Sequence, residues 1–174
     1  SGSSGFIPGE GAAAMAIGVG GGGPCLRHYG NNSDAADPVG MPKDGGSTPR
    51  LFAAAGCRPL AVCPHATGTA VQRVADPAAL LRVFGDERPT LHLLKPQLGH
   101  AIGASGLLES VVIARFLRDG MLPPNLPGLH APAGFSLPAV PVPAMGPVAK
   151  LSHGMGGHNA LLVMAAASGS DHER

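Results

Sequence analysis

The sequence predicts an α/β fold, and three observations carry that expectation. Short apolar runs at residues 60–63, 90–94, 148–151 and 160–164 have the length of buried strands. Two longer segments, residues 77–84 and 104–118, have the length and spacing of helices. The 174 residues include 27 glycines and 18 prolines, which favours short elements joined by many turns.

Taken in order, residues 12–19 are small and apolar, as in a strand buried on both faces, although their length also allows a helix. The glycines at 20–23 end that run. Residues 30–50 are rich in Asn, Asp, Gly, Pro and Ser and read as an extended surface loop. Residues 51–56 make at most a stub of helix. Residues 60–63 form a short strand that feeds His65. Residues 77–84 form a helix with Asp76 at its N-cap and Pro77 in its first turn. A strand at 90–94 precedes the helix at 104–118, whose Leu107, Leu108, Val111 and Phe116 have core spacing. Gly120 ends it and Pro123-Pro124 bars continuation. A proline-rich crossing then leads to two closing strands.

Composition removes several classes of function. The formal charge is +1, with one tyrosine, five phenylalanines and no tryptophan, so neither a basic patch nor an aromatic nucleic-acid platform is present. No apolar run is long enough to span a membrane. Three cysteines at irregular spacing give neither a disulfide framework nor a zinc set, and a cytoplasmic location is the expectation. The glycine runs lack the spacing of a dinucleotide loop, and no P-loop lysine follows them. His153 and His158 fit no common zinc pattern, so no metal is expected. With 44% hydrophobic and only 13% charged residues, much surface is left for another body to cover.

Three stretches carry chemistry. The run from Lys95 through Pro96-Gln97-Leu98-Gly99 to His100 places a cation and an imidazole beside the positive end of a helix, where negative charge is tolerated. Upstream lies His65-Ala66-Thr67-Gly68-Thr69. Near the end lies Ser152-His153-Gly154-Met155-Gly156-Gly157-His158-Asn159-Ala160. In that order the three resemble the second half of a β-ketoacyl synthase, the carbon–carbon bond-forming enzyme of fatty acid and polyketide synthesis. Residues 5–13 resemble a segment of the same family, whereas residues 1–4 read as a linker remnant and 167–174 as a polar tail. The resemblance covers residues 5–166 and implies the C-terminal half of the thiolase-like layered fold, a mixed central sheet packed between helices.

The resemblance also implies roles. His65 and His100 would donate hydrogen bonds to the enolate formed when a malonyl thioester loses carbon dioxide, with Lys95 behind them. Thr67 and Thr69 match hydroxyls that bind the pantetheine arm of the acyl carrier protein, although threonines here also suit a plain loop. Asp76 stands where the family has an acidic partner for the lysine, and it reads equally as a helix cap. Arg73 stands where an aspartate is usual, which reverses a charge. The family's Ser-Phe-Gly-Phe-Gly-Gly-Thr-Asn becomes a run with His153, Met155 and His158 in place of Phe, Phe and Thr; Gly156, Gly157 and Asn159 are kept. Met155 takes the place of a gating phenylalanine, or else fills core.

No segment resembles the family's cysteine turn, and Cys63 reads as a small buried hydrophobe. The expected partners are therefore a cysteine-bearing N-terminal half and an acyl carrier protein, in a unit that dimerises. No cofactor is expected beyond the carrier's phosphopantetheine. Three readings follow: half of a split ketosynthase, a non-catalytic companion similar to a chain-length factor, or a fragment of a longer enzyme.

Overall fold

Period-two alternation in the strands sorts the apolar residues onto two faces of one sheet. The computed structural model describes residues 5–167 apart from Gly21, Ala36 and Ala133; the linker at 1–4 and all but the first residue of the tail lie outside the described residues. Five strands form the main sheet: β1 (Cys25–Ser33), β2 (Ala61–Cys63), β3 (Thr90–Leu91), β6 (Val148–Gly154) and β7 (His158–Ala165). Their order is β1-β7-β6-β2-β3. The pairs β1/β7 and β6/β7 are antiparallel, while β2 pairs in parallel with β6 and β3. A second pair, β4 (Met121–Leu122) and β5 (Val142–Pro143), is antiparallel.

On one face Val62, Ala149, Leu151, Leu161 and Val163 pack with Leu51 and Phe52 of α1 (Thr48–Ala54) and with Leu80 and Phe84 of α2 (Gln72–Phe84). On the other, Ala61, Cys63, Val148 and Met164 meet Ile113 and Leu117 of α4 (Ser105–Arg118). A four-residue helix, α3 (Lys95–Leu98), sits between β3 and α4. The mixed sheet between helices is the architecture expected from the sequence.

Several elements differ from expectation. Residues 12–19 form no strand; they are mostly exposed, residues 15–18 line a cavity together with α4, and they have no ladder partner among the described residues. Small apolar residues have the composition of a buried strand, but a strand exists only where a neighbour supplies hydrogen bonds. The edge position next to β7 belongs instead to β1, in part of what reads as loop, and its register runs from Cys25↔Ala165 to Ser33↔His158. The β3 ladder has only two residues, and the closing strands are longer than the apolar runs. Helix α2 starts at Gln72, so Asp76 is no N-cap and Pro77 lies inside the helix. The Thr69 hydroxyl accepts from the Gln72 N–H (3.3 Å), which starts the helix one turn earlier than the proline suggests.

The buried stripe of α4 is Ser105, Glu109, Ser110, Ile113 and Leu117 rather than the leucine face; Leu107 is exposed. The apolar side of α4 and the outer end of the sheet instead bound an open cavity of about 920 Å³ beneath residues 15–18. Leu107, Leu162 and Met164 line it together with Lys150 and Ser152. Apolar surface of this extent is what a further body would cover.

Candidate functional site

The site gathers at the ends of β2, β3 and β6. His65 leaves β2 two residues after Cys63 and is followed by Ala66 at φ 45°, a left-handed conformation that a non-glycine residue adopts at a cost. That turn is held by Asp76, whose Oδ2 accepts the Ala66 N–H at 2.7 Å. The other carboxylate oxygen accepts from Gln72 Nε2 at 2.5 Å. The hydroxyls of Thr67 and Thr69 lie 3.3 Å apart in the same half-buried loop.

His100 follows α3, and its Nδ1 shares a hydrogen bond of 3.0 Å with the Ser105 hydroxyl at the start of α4. A hydroxyl donating to Nδ1 leaves the proton on Nε2, the tautomer that can donate into the site. Backbone pairing fixes the ring as well. The His100 N–H donates to Ile7 O (2.8 Å), the Gly9 N–H donates to His100 O (3.2 Å), and Phe6 meets the imidazole edge-on at 5.3 Å. Residues 5–9 thus form one wall of the site. This approach requires glycine: a Cβ on Gly99, at φ 73°, would stand 2.7 Å from the Gly9 Cα.

The two imidazoles predicted to act together do meet, edge to face, with ring centroids 5.6 Å apart. A third ring, His153, also meets His65 edge to face, at 5.5 Å. Beneath them Lys95 is buried, and its Nζ donates to Glu109 Oε1 at 2.7 Å. The other Glu109 oxygen takes the ammonium of Lys150 at 2.5 Å. Glu109, not Asp76, is therefore the partner of Lys95. From the middle of α4 its side chain reaches both lysines, whereas Asp76 is spent on the loop after β2. Arg73 is exposed on α2, so the reversed charge there falls outside the buried network.

Glu109 and Lys150 were not singled out by motif. Their signal is physical: Glu109 is the single acidic residue of α4 and Lys150 the single lysine of β6, each among apolar neighbours, and buried charges persist only in pairs.

The last motif closes the β6–β7 hairpin. Gly156 and Gly157 sit at φ 77° and 74°, and backbone bonds tie them to the loop after β1: Gly156 N–H donates to Pro38 O and Asp34 N–H to Gly157 O. Met155 and His158 are exposed on this hairpin, and Met155 is 72% accessible. Asn159 is buried, and its amide donates to Asp34 Oδ2 at 2.9 Å. Cys63 is fully buried on β2, and burial pushes its thiol up to about 12, which disfavours the thiolate. Among the described residues no group of His, Cys, Asp or Glu is placed to hold a metal ion, and no helix is long and apolar enough to cross a membrane.

Burial, followed by the charges of Lys95 and Lys150, drives the His65 ring far below its ordinary 6.5, so it stays neutral. His92, buried with Nδ1 donating to Pro123 O, and His100 are lowered too, each mainly by desolvation. In the unfolded chain all three take up protons near 6.5, while the folded chain takes them up only at lower pH. The unfolded state thus binds more protons in that window, and stability should fall as pH drops through 6.5 and below. Urea unfolding at stepped pH should show the midpoint declining on the acid side; a flat profile there would contradict the burial of these rings.

Known proteins resemble this chain in sequence and in fold. 3-Oxoacyl-[acyl-carrier-protein] synthase 2 of Mycobacterium tuberculosis (strain ATCC 25618 / H37Rv) is 37% identical over 99 residues, covering 55% of this chain and 24% of that protein. 3-Oxoacyl-[acyl-carrier-protein] synthase 1 of Escherichia coli (strain K12) is 33% identical over 142 residues, covering 78% of this chain and 35% of its own length. The chain thus spans only about a quarter to a third of the length of these two relatives. Among solved structures, a type II polyketide acyl-carrier protein in complex with its ketosynthase bound to the hexaketide superposes with a TM-score of 0.73 at 22% identity. That match covers 82% of this chain and 38% of the other. The ishigamide ketosynthase/chain length factor gives 0.72 at 25% identity over the same shares. Residues 25–128, more than half of the chain, match the family described as beta-ketoacyl synthase, C-terminal domain, and the chain therefore belongs to the β-ketoacyl synthase family.

Proposed function

We propose that this chain supplies the two-histidine half of a condensing site for decarboxylative Claisen condensation, with the nucleophilic cysteine on a separate chain or segment. The observation that carries the reading is the edge-to-face pair His65–His100 standing over the buried Lys95–Glu109 pair. Decarboxylation of a malonyl thioester leaves negative charge on the thioester oxygen. Two neutral imidazoles that donate from Nε2 would stabilise that charge in a water-poor site. His65 is kept neutral by burial, which suits a donor that must not ionise. The Lys95 ammonium adds a positive field, although burial and Lys150 both pull its pKa below the ordinary value. Thr67 and Thr69 would hold the amides of the pantetheine arm, and Met155, Gly156, Gly157 and His158 would border the acyl group. The open α4 face would receive the cysteine-bearing half, and acyl carrier protein would deliver the substrate.

Co-production with a cysteine-bearing ketosynthase N-terminal half, followed by assay of malonyl-carrier decarboxylation, tests this. Activity should require both chains. A mixture no more active than the N-terminal half alone would count against the reading.

A second reading has its own observation: His153, Met155 and His158 replace residues that the family keeps around its nucleophile. On that reading the chain is a companion subunit that shapes an acyl tunnel. It would then alter product length when added to a separately active ketosynthase, and His100→Ala would leave that effect intact.

A further inference from the structure

The imidazole of His153 stands where the family motif has a phenylalanine, and the condensation chemistry above does not use it. Its surroundings are built. The ring is 4% exposed, and its Nδ1 lies 2.5 Å from Asn159 Oδ1. The Asn159 amide orientation is fixed, because its Nδ2 faces Asn32 Oδ1 at 3.1 Å and the Asp34 carboxylate at 2.9 Å, and only the NH₂ can donate there. Asn159 Oδ1 is therefore an acceptor, and His153 Nδ1 carries a proton. The other nitrogen, Nε2, is buried without a hydrogen bond among the described residues and lies 3.3 Å from Asp76 Oδ1. A bare imidazole lone pair against a carboxylate oxygen at that distance is repulsive. A proton on Nε2 makes the contact attractive.

Asp76 and His153 also bracket His65. Asp76 holds the turn at Ala66. His153 packs on the ring of His65, whose own Nδ1 is buried with no hydrogen bond among the described residues. For His65 to donate from Nε2, its Nδ1 must stay bare. A neighbouring ring that already carries protons disfavours a further proton at Nδ1 and favours that tautomer.

We propose that His153 is a third working imidazole of this site, a positioning residue that shares a proton with Asp76 through Nε2 and so fixes the tautomer of His65. The inference deepens the condensing-site reading and rests on it for its purpose, though not for its geometry. The charged and titratable groups around the ring are Asp76 on α2, His65 after β2, and Asp34 behind Asn159. Lys95, Lys150 and His100 also act on His65.

The test is nitrogen NMR of the full chain labelled with ¹⁵N-histidine, alone or with its cysteine-bearing half, at neutral pH. His153 should show protonated nitrogen at both Nδ1 and Nε2, and His65 at Nε2 only. In Asp76→Asn the His153 Nε2 should lose its proton, because the carboxylate that holds it is gone. In His153→Phe, which restores the family's ring shape without nitrogens, His65 should change to a mixture of tautomers. A bare His153 Nε2 in the unaltered chain would overturn the proposal. So would an unchanged His65 signal in His153→Phe or, should that variant not fold, an unchanged His153 signal in Asp76→Asn. Decarboxylation by His100→Ala, assayed in parallel, separates the two claims. Full activity there removes the condensing role, whereas the nitrogen spectra decide the role of His153 whatever that assay gives.

Discussion

Replacing His100 by alanine should abolish malonyl decarboxylation by the completed site while leaving the partner's cysteine able to accept an acyl group. The imidazole serves the enolate, not the thioester exchange, so the two half-reactions should separate. Loss of one oxyanion donor costs about 10²–10³ in rate. His65→Ala should do the same, and here the ring contacts add a structural cost, since His65 packs against both His100 and His153. Rates of carbon dioxide release and of acyl transfer, measured on the same preparation, give the answer. Undiminished condensation by His100→Ala would sink the assignment of that ring.

The second large effect is on stability and concerns Glu109. It is 1% exposed and is the carboxylate between Lys95 Nζ and Lys150 Nζ. Glu109→Gln keeps the shape but leaves two buried ammonium groups with no negative partner. Breaking a buried ion pair from one side costs about 3–5 kcal/mol. Lys150→Met should be milder, because the Lys95–Glu109 pair survives it and a cation leaves a site that holds two ammoniums to one carboxylate. Denaturant unfolding of the wild-type and variant proteins, in the form in which each folds, should rank Glu109→Gln well below Lys150→Met. Equal stabilities would mean that the lysines do not depend on Glu109.

The open face of α4 gives these experiments a practical frame. Leu107 is exposed, and Leu26 and Tyr29 on the outer strand are 46% and 60% accessible. These residues surround the cavity that Lys150 and Ser152 also line. Apolar residues on both a helix and a sheet edge thus lie beside the buried lysine pair of the site.

The order of chemical groups and the class of fold were legible along the chain. The α/β class was legible because short apolar runs alternate with helical segments, and burial follows such periodicity directly. Lys95, His100 and His65 were legible because the motif holds their local spacing, and a strand end or a helix start places each side chain within a few residues. Cys63 was legible as a small buried residue because it lies in a short apolar strand.

Tertiary structure alone decided which partners these groups have. Residues 12–19 have a strand's composition, yet the β7 edge is taken by β1, and ladder pairing is a contest between segments that no single segment records. Pro77 suggests a helix start, but Thr69 and Asp76 fix the preceding loop and the helix begins earlier. Asp76 is near His65 in sequence and was the expected partner of Lys95, whereas Glu109 lies 14 residues from Lys95 and meets it only because α4 crosses beneath the sheet. His153 and Asp76 come from elements far apart in the chain and meet at 3.3 Å. The physical reason is common to all four. Local spacing sets which way a side chain leaves its own element, while the charge or ladder that satisfies it is supplied by whichever element packs opposite.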